Sequence, residues 1–147
     1  MKRWYKGNLH SHTTNSDGVW TPEQSVKNYR DAGYSFLCFS DHDLYTDYRR
    51  ELGEKNFLIL PGVEATAVLF DDEGNTVRLH HMNGILGTES MQKGALESTF
   101  SHMEKVEPDI YYGTDWDGNK TGKKLAERLK NHGCIVTYNP VSYTHLT

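Results

Sequence analysis

The sequence predicts one α/β domain, on three observations. Short apolar runs typical of buried strands alternate with amphipathic stretches typical of helices. The chain has 147 residues, which is the length of one ordinary domain. Hydrophobic residues make up 36% and charged residues 24%, as in folded globular proteins and unlike disordered segments.

Charge and hydropathy exclude two classes of protein. Sixteen Lys and Arg against twenty Asp and Glu give a formal net charge of −4 with no basic block, so the chain lacks the electrostatic pattern of a dedicated nucleic-acid binder. No apolar run approaches the roughly 20 residues that cross a bilayer. The first residues carry cations without the apolar stretch of a secretory signal. We therefore expect a cytoplasmic protein, with Cys38 and Cys134 as buried free thiols.

The first half of the chain predicts two strands around a capped helix. Trp4 to His10 is predicted as the first strand. Thr21, Pro22 and Gln24 then form the pattern of a capped helix start, and Gly33 ends that helix. The next expected element is a buried strand, and its residues are Phe36 to Ser40.

The second half predicts further strands and helices. We expect a short helix at Tyr45 to Leu52 and a buried strand at Phe57 to Leu60. A β-hairpin follows, in which Ala65 to Phe70 and Thr76 to Ile85 flank a turn at Asp71 to Asn75.

The last third of the chain predicts two helices and a strand. The first helix is expected at Glu89 to Val106, with an interruption near Gly94, and a loop follows at Pro108 to Gly122. The second helix is capped by Thr121 and runs to Asn131, and the last strand is Cys134 to Tyr138.

Polar residues follow the predicted strands where each one ends. They are His10 and His12 after the first, Asp41 and His42 after the second, Glu64 just beyond the third, and His81 in the second strand of the hairpin. The carboxyl ends of parallel strands meet at one edge of an α/β fold. We therefore expect these residues to lie together.

Imidazole and carboxylate side chains in this pattern suit zinc, manganese or iron. His10 and His12 are two residues apart, so in a strand they point to the same face. Taken alone, they also fit a packed or surface pair, and Glu64 also fits a solvent-facing glutamate. Asp41 or Asp43 also fits a helix N-cap.

The remaining histidines are weaker candidates for ligands. Strand alternation allows only one of His80 and His81 to face the site. His102 and His132 lie in helical contexts without an acidic partner, and we expect neither to bind metal.

Four segments together resemble the PHP family, the polymerase and histidinol phosphatase type of metal-dependent phosphoesterase. The segments are NLHSHTTNSDG (Asn8 to Gly18), FSDHD (Phe39 to Asp43), PGVEAT (Pro61 to Thr66) and HMNGI (His81 to Ile85). The resemblance implies the N-terminal portion of a distorted (β/α)7 TIM-like barrel. It also implies two or three divalent ions, zinc, manganese or iron. The implied ligands are His10, His12, Asp17, His42, Glu64 as the bridge, and His81, which precedes Gly84 by three.

Two features depart from the family pattern. Tyr138-Asn139-Pro140 stands where members usually carry a His-Pro, so it is open whether Asn139 replaces the ligand histidine at that position. The complete barrel resembles one of about 250 residues, and we expect this chain to be its front portion. Residues 1–140 are then the PHP domain and residues 141–147 a non-native-looking tail, whose His145 is not counted as a ligand.

The resemblance implies hydrolysis of a phosphate ester by a metal-activated hydroxide. The expected catalytic residues are Glu64 and Asp41. Either Asp41 or Asp43 orients His42 or relays a proton, and the sequence does not choose between them. Lys6 and Arg78 are candidate phosphate clamps by location only. A small molecule or nucleotide is favoured as substrate over polymeric DNA, since the charge is negative.

Two other functions stay open at this point. An amidohydrolase-like barrel also opens with two histidines one residue apart, although the pattern after the second and third strands argues against it. A catalytically silent metal-binding module would also keep these ligands, and a fragment of the enzyme would behave in the same way.

Overall fold

The structure is a computed structural model that describes residues 2–70, 73, 75–97, 104–105 and 119–139. The strands are β1 (Gly7–Asn8), β2 (Phe36–Cys38), β3 (Leu44–Tyr45), β4 (Leu58–Leu60), β5 (Gly62–Phe70), β6 (Thr76–Leu86), β7 (Glu104–Lys105) and β8 (Cys134–Asn139). The helices are α1 (Pro22–Asp31), α2 (Arg49–Leu52), α3 (Glu89–Glu97) and α4 (Asn119–Asn131).

A parallel sheet forms the first half, in the order β1-β2-β4. Helix α1 connects β1 to β2 and begins as predicted, because the Thr21 side chain accepts a hydrogen bond from the Gln24 backbone and the Gln24 side chain accepts one from Thr21. Val26 of α1 is buried in one core cluster with Leu37, Phe39, Phe57 and Ile59. Removing this apolar surface from water is what holds the helix against the sheet.

An antiparallel sheet forms the second half, in the order β5-β6-β8. Strands β5 and β6 are the predicted hairpin, with Glu64 opposite Asn83 and Thr66 opposite His81. Helix α4 packs Leu125 and Leu129 into a second core cluster of the inner side chains of this sheet. This sheet buries one face under α4 and leaves polar side chains on the other.

The two sheets join at Pro61, which is the one residue between β4 and β5. Two isolated bridges reinforce the junction: His42 pairs with Glu64 in parallel, and Thr46 pairs with Gly62 in antiparallel. A Cβ atom at Gly62 would lie 2.7 Å from the Cys38 sulfur, so only glycine allows this approach. The segment after β2 is thereby held beside β5.

The first strand is shorter than predicted. Trp4 to His10 was expected, but only Gly7–Asn8 pairs with β2. The Asn8 side chain explains the early end, since its oxygen accepts from the His10 backbone N–H and its nitrogen donates to the His10 carbonyl. Such local bonding competes with a sheet ladder.

The predicted helix at Tyr45 to Leu52 is wrong in its first half. Tyr45 lies in β3, buried, and its hydroxyl donates to the Leu86 carbonyl. The helix starts at Arg49, whose backbone N–H donates to the Asp47 carboxylate at 3.0 Å. Burial of one aromatic ring therefore outweighs the helical preference of the segment.

Three boundaries in the second half also differ. Helix α3 runs through Gly94 without interruption, and Glu104–Lys105 is a strand, not a continuation of that helix. Helix α4 begins at Asn119, so Thr121 lies inside it and is not its cap. Residues 71, 72 and 74 of the hairpin turn, 98–103, 106–118 and the tail at 140–147 lie outside the described residues.

The architecture is mixed α/β, with parallel and antiparallel sheets. In the part of the chain that the structure describes, the strands do not close into a barrel. Strand β6, which carries His81, runs antiparallel to both of its neighbours, β5 and β8. None of the described helices has the length and apolar character that crossing a membrane requires.

Candidate metal centre

The Glu64 carboxylate lies at the centre of a cluster of imidazole rings. Its Oε1 atom is 3.2 Å from His10 Nε2, and its Oε2 atom is 2.9 Å from His12 Nε2. The same Oε2 atom is 3.4 Å from His42 Nδ1 and 3.5 Å from His81 Nδ1. Glu64 is only 2% exposed, so four histidines from three parts of the sequence surround one buried carboxylate.

The segment after β1 presents His10 and His12 on one side, as predicted from their spacing. Their Nε2 atoms are 2.8 Å apart. Ser11 between them points the other way, where its hydroxyl donates to the Cys38 carbonyl at 2.7 Å and its backbone N–H donates to the Ser40 hydroxyl. The end of β2 thus fixes the direction of both imidazoles.

His42 reaches the cluster through backbone pairing with β5. The Asp43 N–H donates to the Glu64 carbonyl at 2.8 Å, and the Glu64 N–H donates to the Asp41 carbonyl at 3.1 Å. Asp43 has a φ of 54°, a left-handed conformation, and its carboxylate accepts from the Thr66 N–H at 2.9 Å. This turn sets the His42 ring beside Glu64.

The antiparallel sheet supplies Glu64 and His81 from one face. Cross-strand partners point to the same side of a sheet, and residues two apart on a strand do so too. The register pairs Glu64 with Asn83, Thr66 with His81, and His81 with Asn139. Glu64 lies beyond the end of β4, where the sequence predicted it, and it belongs to β5, which begins at Gly62 and not at Ala65.

A tight loop returns Asp17 to the cluster. Its Oδ1 atom is 2.6 Å from His12 Nδ1, and its Oδ2 atom is 3.5 Å from His42 Nε2. A Cβ atom at Gly18 would lie 2.4 Å from the His12 carbonyl group, so the loop closes only because that residue is glycine. Asp17 is 67% exposed and forms the outer edge of the cluster.

These side chains form three overlapping groups whose ligand atoms lie within 4.8 Å of one another. The groups are His10 with His12 and Glu64, His12 with Asp17 and His42, and His42 with Glu64 and His81. Imidazole nitrogens and carboxylate oxygens are the donors that zinc, manganese and iron accept. A buried carboxylate shared by two groups fits a bridge between neighbouring cations. The residues present fit divalent metal ions.

The chain is similar in fold to a solved structure. Comparison with protein-family models gives no match, and neither does comparison with curated protein sequences. A crystal structure of a candidate metal-dependent phosphoesterase from Bifidobacterium adolescentis matches over 90% of this chain, with a TM-score of 0.52 and 17% sequence identity. The similarity shows a phosphoesterase-like fold. The match covers 66% of that structure, just under two thirds of its length.

The Asp41 carboxylate does not face the cluster. It is buried and accepts three hydrogen bonds, from the Thr13 N–H at 2.7 Å, the Thr13 hydroxyl at 2.9 Å and the Ser16 hydroxyl at 2.7 Å. Its atoms therefore hold the loop that carries Asp17. Among the described contacts, none joins this carboxylate to the His42 ring.

Asn139 takes part in the site as a hydrogen-bond donor. Its amide nitrogen donates to Glu64 Oε1 at 2.7 Å and to Asn83 Oδ1 at 2.9 Å. Buried Asn83 in turn donates to the Leu9 carbonyl at 3.2 Å. The pair orients the bridging carboxylate and ties it to the segment of His10.

Asn8 and Asn83 were missed as site residues by the sequence reasoning. Both lie within the motifs that carry the resemblance, and Asn83 is two residues from His81 on the same strand. Strand alternation alone places Asn83 on the face that carries His81, and this was the available signal.

The cluster perturbs the pKa values of its members. The hydrogen bond to Glu64 raises the pKa of His12 to about 9 against the effect of burial, and Asp17 adds to the rise. Burial favours neutral Glu64, but hydrogen bonds from its histidine neighbours and Asn139 hold its pKa well below the usual range. Burial and the nearby His12 lower the pKa of His42. In the metal-free protein His12 is therefore protonated at neutral pH.

Metal binding is expected to release about one proton from His12 at pH 7. A ligating imidazole must be neutral, and a pKa of about 9 leaves His12 almost fully protonated at pH 7. Apparent affinity should therefore rise about tenfold per pH unit between pH 7 and 9 and level off above. Calorimetry with Zn²⁺ in two buffers of different ionisation enthalpy measures the release. Equal proton release by wild type and His12→Gln would contradict this assignment.

Other candidates lie outside the cluster. The His80 Nδ1 atom is 3.0 Å from the Tyr138 hydroxyl, on the opposite side of β6 from His81. Lys6 donates to the Ala32 carbonyl at 3.0 Å, and its ammonium lies 4.1 Å from the centre of the Tyr34 ring. His132 belongs to none of the three groups found among the described residues, and His102 is outside those residues.

The two cysteines and Arg78 complete the set of predicted residues. Cys38 and Cys134 are buried free thiols, as expected. Burial raises the pKa of the Cys38 thiol to about 12, so this thiol is inert. Arg78 pairs with Leu69 in the hairpin, and its side chain is outside the described part of the structure.

Proposed function

We propose that this chain belongs to a PHP-type metal-dependent phosphoesterase that hydrolyses a phosphate ester of a small molecule or nucleotide. The observation that carries the proposal is the convergence of four imidazoles on buried Glu64, with the Asp17 carboxylate beside two of them. The phosphoesterase-like fold supports the same reaction class. Two or three divalent ions, zinc, manganese or iron, are the proposed cofactors. When bound, such ions activate water and neutralise charge on the phosphoryl oxygens.

The charge of the site favours an anionic substrate. Two divalent ions carry four positive charges, and the carboxylates of Glu64 and Asp17 offset two of them. Neutral imidazoles add none, so two positive charges remain for the phosphate. This explains how a chain with a net charge of −4 can attract a phosphoester.

The protein residues then have distinct roles. His10, His12, His42, His81, Asp17 and Glu64 are the proposed ligands. Asn139 donates to Glu64 and keeps its second oxygen directed at the imidazoles. Asp41 acts as a positioning residue, since it fixes the loop of Asp17 through Thr13 and Ser16. Glu64 is the one proposed catalytic carboxylate at the cluster.

Hydrolysis by the purified chain tests the proposal. We expect turnover of p-nitrophenyl phosphate with added Mn²⁺ or Zn²⁺, loss of turnover with a chelator, and no turnover of a matched p-nitroanilide. Cleavage of the anilide alone would favour the amidohydrolase-like alternative. Bound metal without cleavage of any ester would favour the silent module or an incomplete enzyme.

Adjacent histidines provide a matched pair of variants. His81→Gln should lower the metal-dependent rate at least about 100-fold, because even residues that only orient metal ligands contribute about 10- to 100-fold. His80→Gln should keep the rate within about threefold, since His80 faces Tyr138. Equal loss in both variants would refute the assignment of His81 as the ligand.

A further inference from the structure

An open cleft of about 430 Å³ adjoins the imidazoles of His10 and His12. Its other wall contains Val19, Trp20 and Tyr29. This volume lies within the range of about 300–1,000 Å³ that small-molecule sites occupy. The metal centre therefore opens directly onto an apolar wall.

The wall exposes apolar side chains that folding does not use. Val19 is 84% exposed and Trp20 is 44% exposed. Exposed apolar side chains gathered beside a polar cluster are typical of a ligand-binding groove. In the described lining, Asp17 is the one carboxylate, and it lies at the end nearest the imidazoles.

The wall is held rigidly relative to His10. The Trp20 and Tyr29 rings meet edge to face at 6.5 Å between centroids, and Tyr29 packs in the same way on Tyr34 at 4.9 Å. The Tyr29 hydroxyl accepts from the Asn8 side-chain nitrogen at 2.8 Å, and the same nitrogen donates to the His10 carbonyl at 2.8 Å. One amide thus connects the aromatic wall to a proposed metal ligand.

We propose that this cleft binds an aromatic ring in the leaving group of the phosphoester substrate, with Trp20 as the specificity-determining residue. The inference rests on the proposed function, because a phosphate at the imidazoles places the group esterified to it beside Trp20. A nucleobase and a phenyl ring share the flat π face that stacks on an indole. A polyol or short aliphatic group lacks that face and gains little from the wall.

Equilibrium binding tests this specificity without turnover. We compare phenylphosphonate with methylphosphonate, which are not hydrolysed, by calorimetry on the full chain with Mn²⁺. Phenylphosphonate should bind about tenfold more tightly, because this is the gain in affinity expected from one stacked ring. Trp20→Ala should reduce that ratio to within about threefold, and Trp20→Phe should retain most of it. Trp4→Ala is the control, because Trp4 is 97% exposed and does not line the cleft.

The outcomes separate the cleft from the reaction. Equal affinities for the two phosphonates in wild type, or no measurable binding of phenylphosphonate, would overturn the inference. If Trp20→Ala lowered the affinity for both phosphonates by the same factor, the inference would also be overturned, since that result indicates a structural role for Trp20. A phenyl preference that depends on Trp20 in a chain that cleaves no phosphoester would support the cleft and count against the proposed function in favour of the silent module or an incomplete enzyme.

Two substrates then identify the source of the ring. Adenosine 5′-monophosphate and phenyl phosphate are compared with glycerol 3-phosphate by kcat/KM. A preference for the nucleotide over the other two indicates a nucleobase, whereas a preference for phenyl phosphate indicates a small aryl group. Either preference supports the inference if Trp20→Ala removes it, and a preference for glycerol 3-phosphate contradicts it.

Discussion

Glu64→Gln should lower the affinity for Zn²⁺ or Mn²⁺ at least about 100-fold and remove metal-dependent hydrolysis. Glutamine keeps the shape of the side chain but loses the charge that faces His12 and three further imidazoles. An amide also cannot bridge two cations as a carboxylate does. Residues that only orient metal ligands already change metal affinity or activity about 10- to 100-fold, so loss of a bridging ligand should lower metal affinity further.

Calorimetry and metal analysis of the purified variant measure this effect. Glu127→Gln is the matched control, since Glu127 is an exposed residue of α4 that pairs with Lys123 at 3.7 Å. Exposed pairs of this kind contribute little. Glu64→Gln with the metal content and affinity of wild type would show that the cluster is not a metal centre.

Asp41→Ala should lower the free energy of unfolding by about 3 kcal/mol, the scale on which buried hydrogen-bonded charges contribute. The substitution removes the acceptor for three donors on Thr13 and Ser16. Thr13 is fully buried, so water cannot replace that acceptor. The cost therefore includes unsatisfied polar groups as well as lost bonds.

Urea denaturation of the metal-free protein measures this cost apart from any effect of metal on stability. Asp31→Asn serves as the comparison, because Asp31 is a surface residue paired with Lys27 across one helical turn. That variant should keep the wild-type midpoint. A midpoint for Asp41→Ala equal to wild type would contradict the role of Asp41 in holding the loop.

Local patterns in the sequence predicted several elements of the fold. The start of α1 followed from Thr21, Pro22 and Gln24, because capping depends on residues within one turn. The hairpin of β5 and β6 followed from two strand-like runs around a polar turn. Local patterns did not predict that Tyr45 lies in a strand, since its place depends on a hydrogen bond from its hydroxyl to the distant Leu86 carbonyl.

The candidate site could be predicted in composition more than in geometry. The spacing of His10 and His12 determines that they face together, and this needs only strand alternation. The position of Glu64 beside His42 depends on a bridge between segments 22 residues apart. The donor role of Asn139 depends on the pairing of β8 with β6, which no local pattern indicated.

The alignment of β5 with β6 decides whether the ligands of the candidate metal centre lie together. Glu64, His81 and Asn83 share one face of this ladder, and a slip by one residue would turn the side chains of one strand to the opposite face. Only the native alignment then offers metal ions a complete ligand set. Ions that bind the native state alone would favour this alignment over its competitors during folding, in proportion to their concentration.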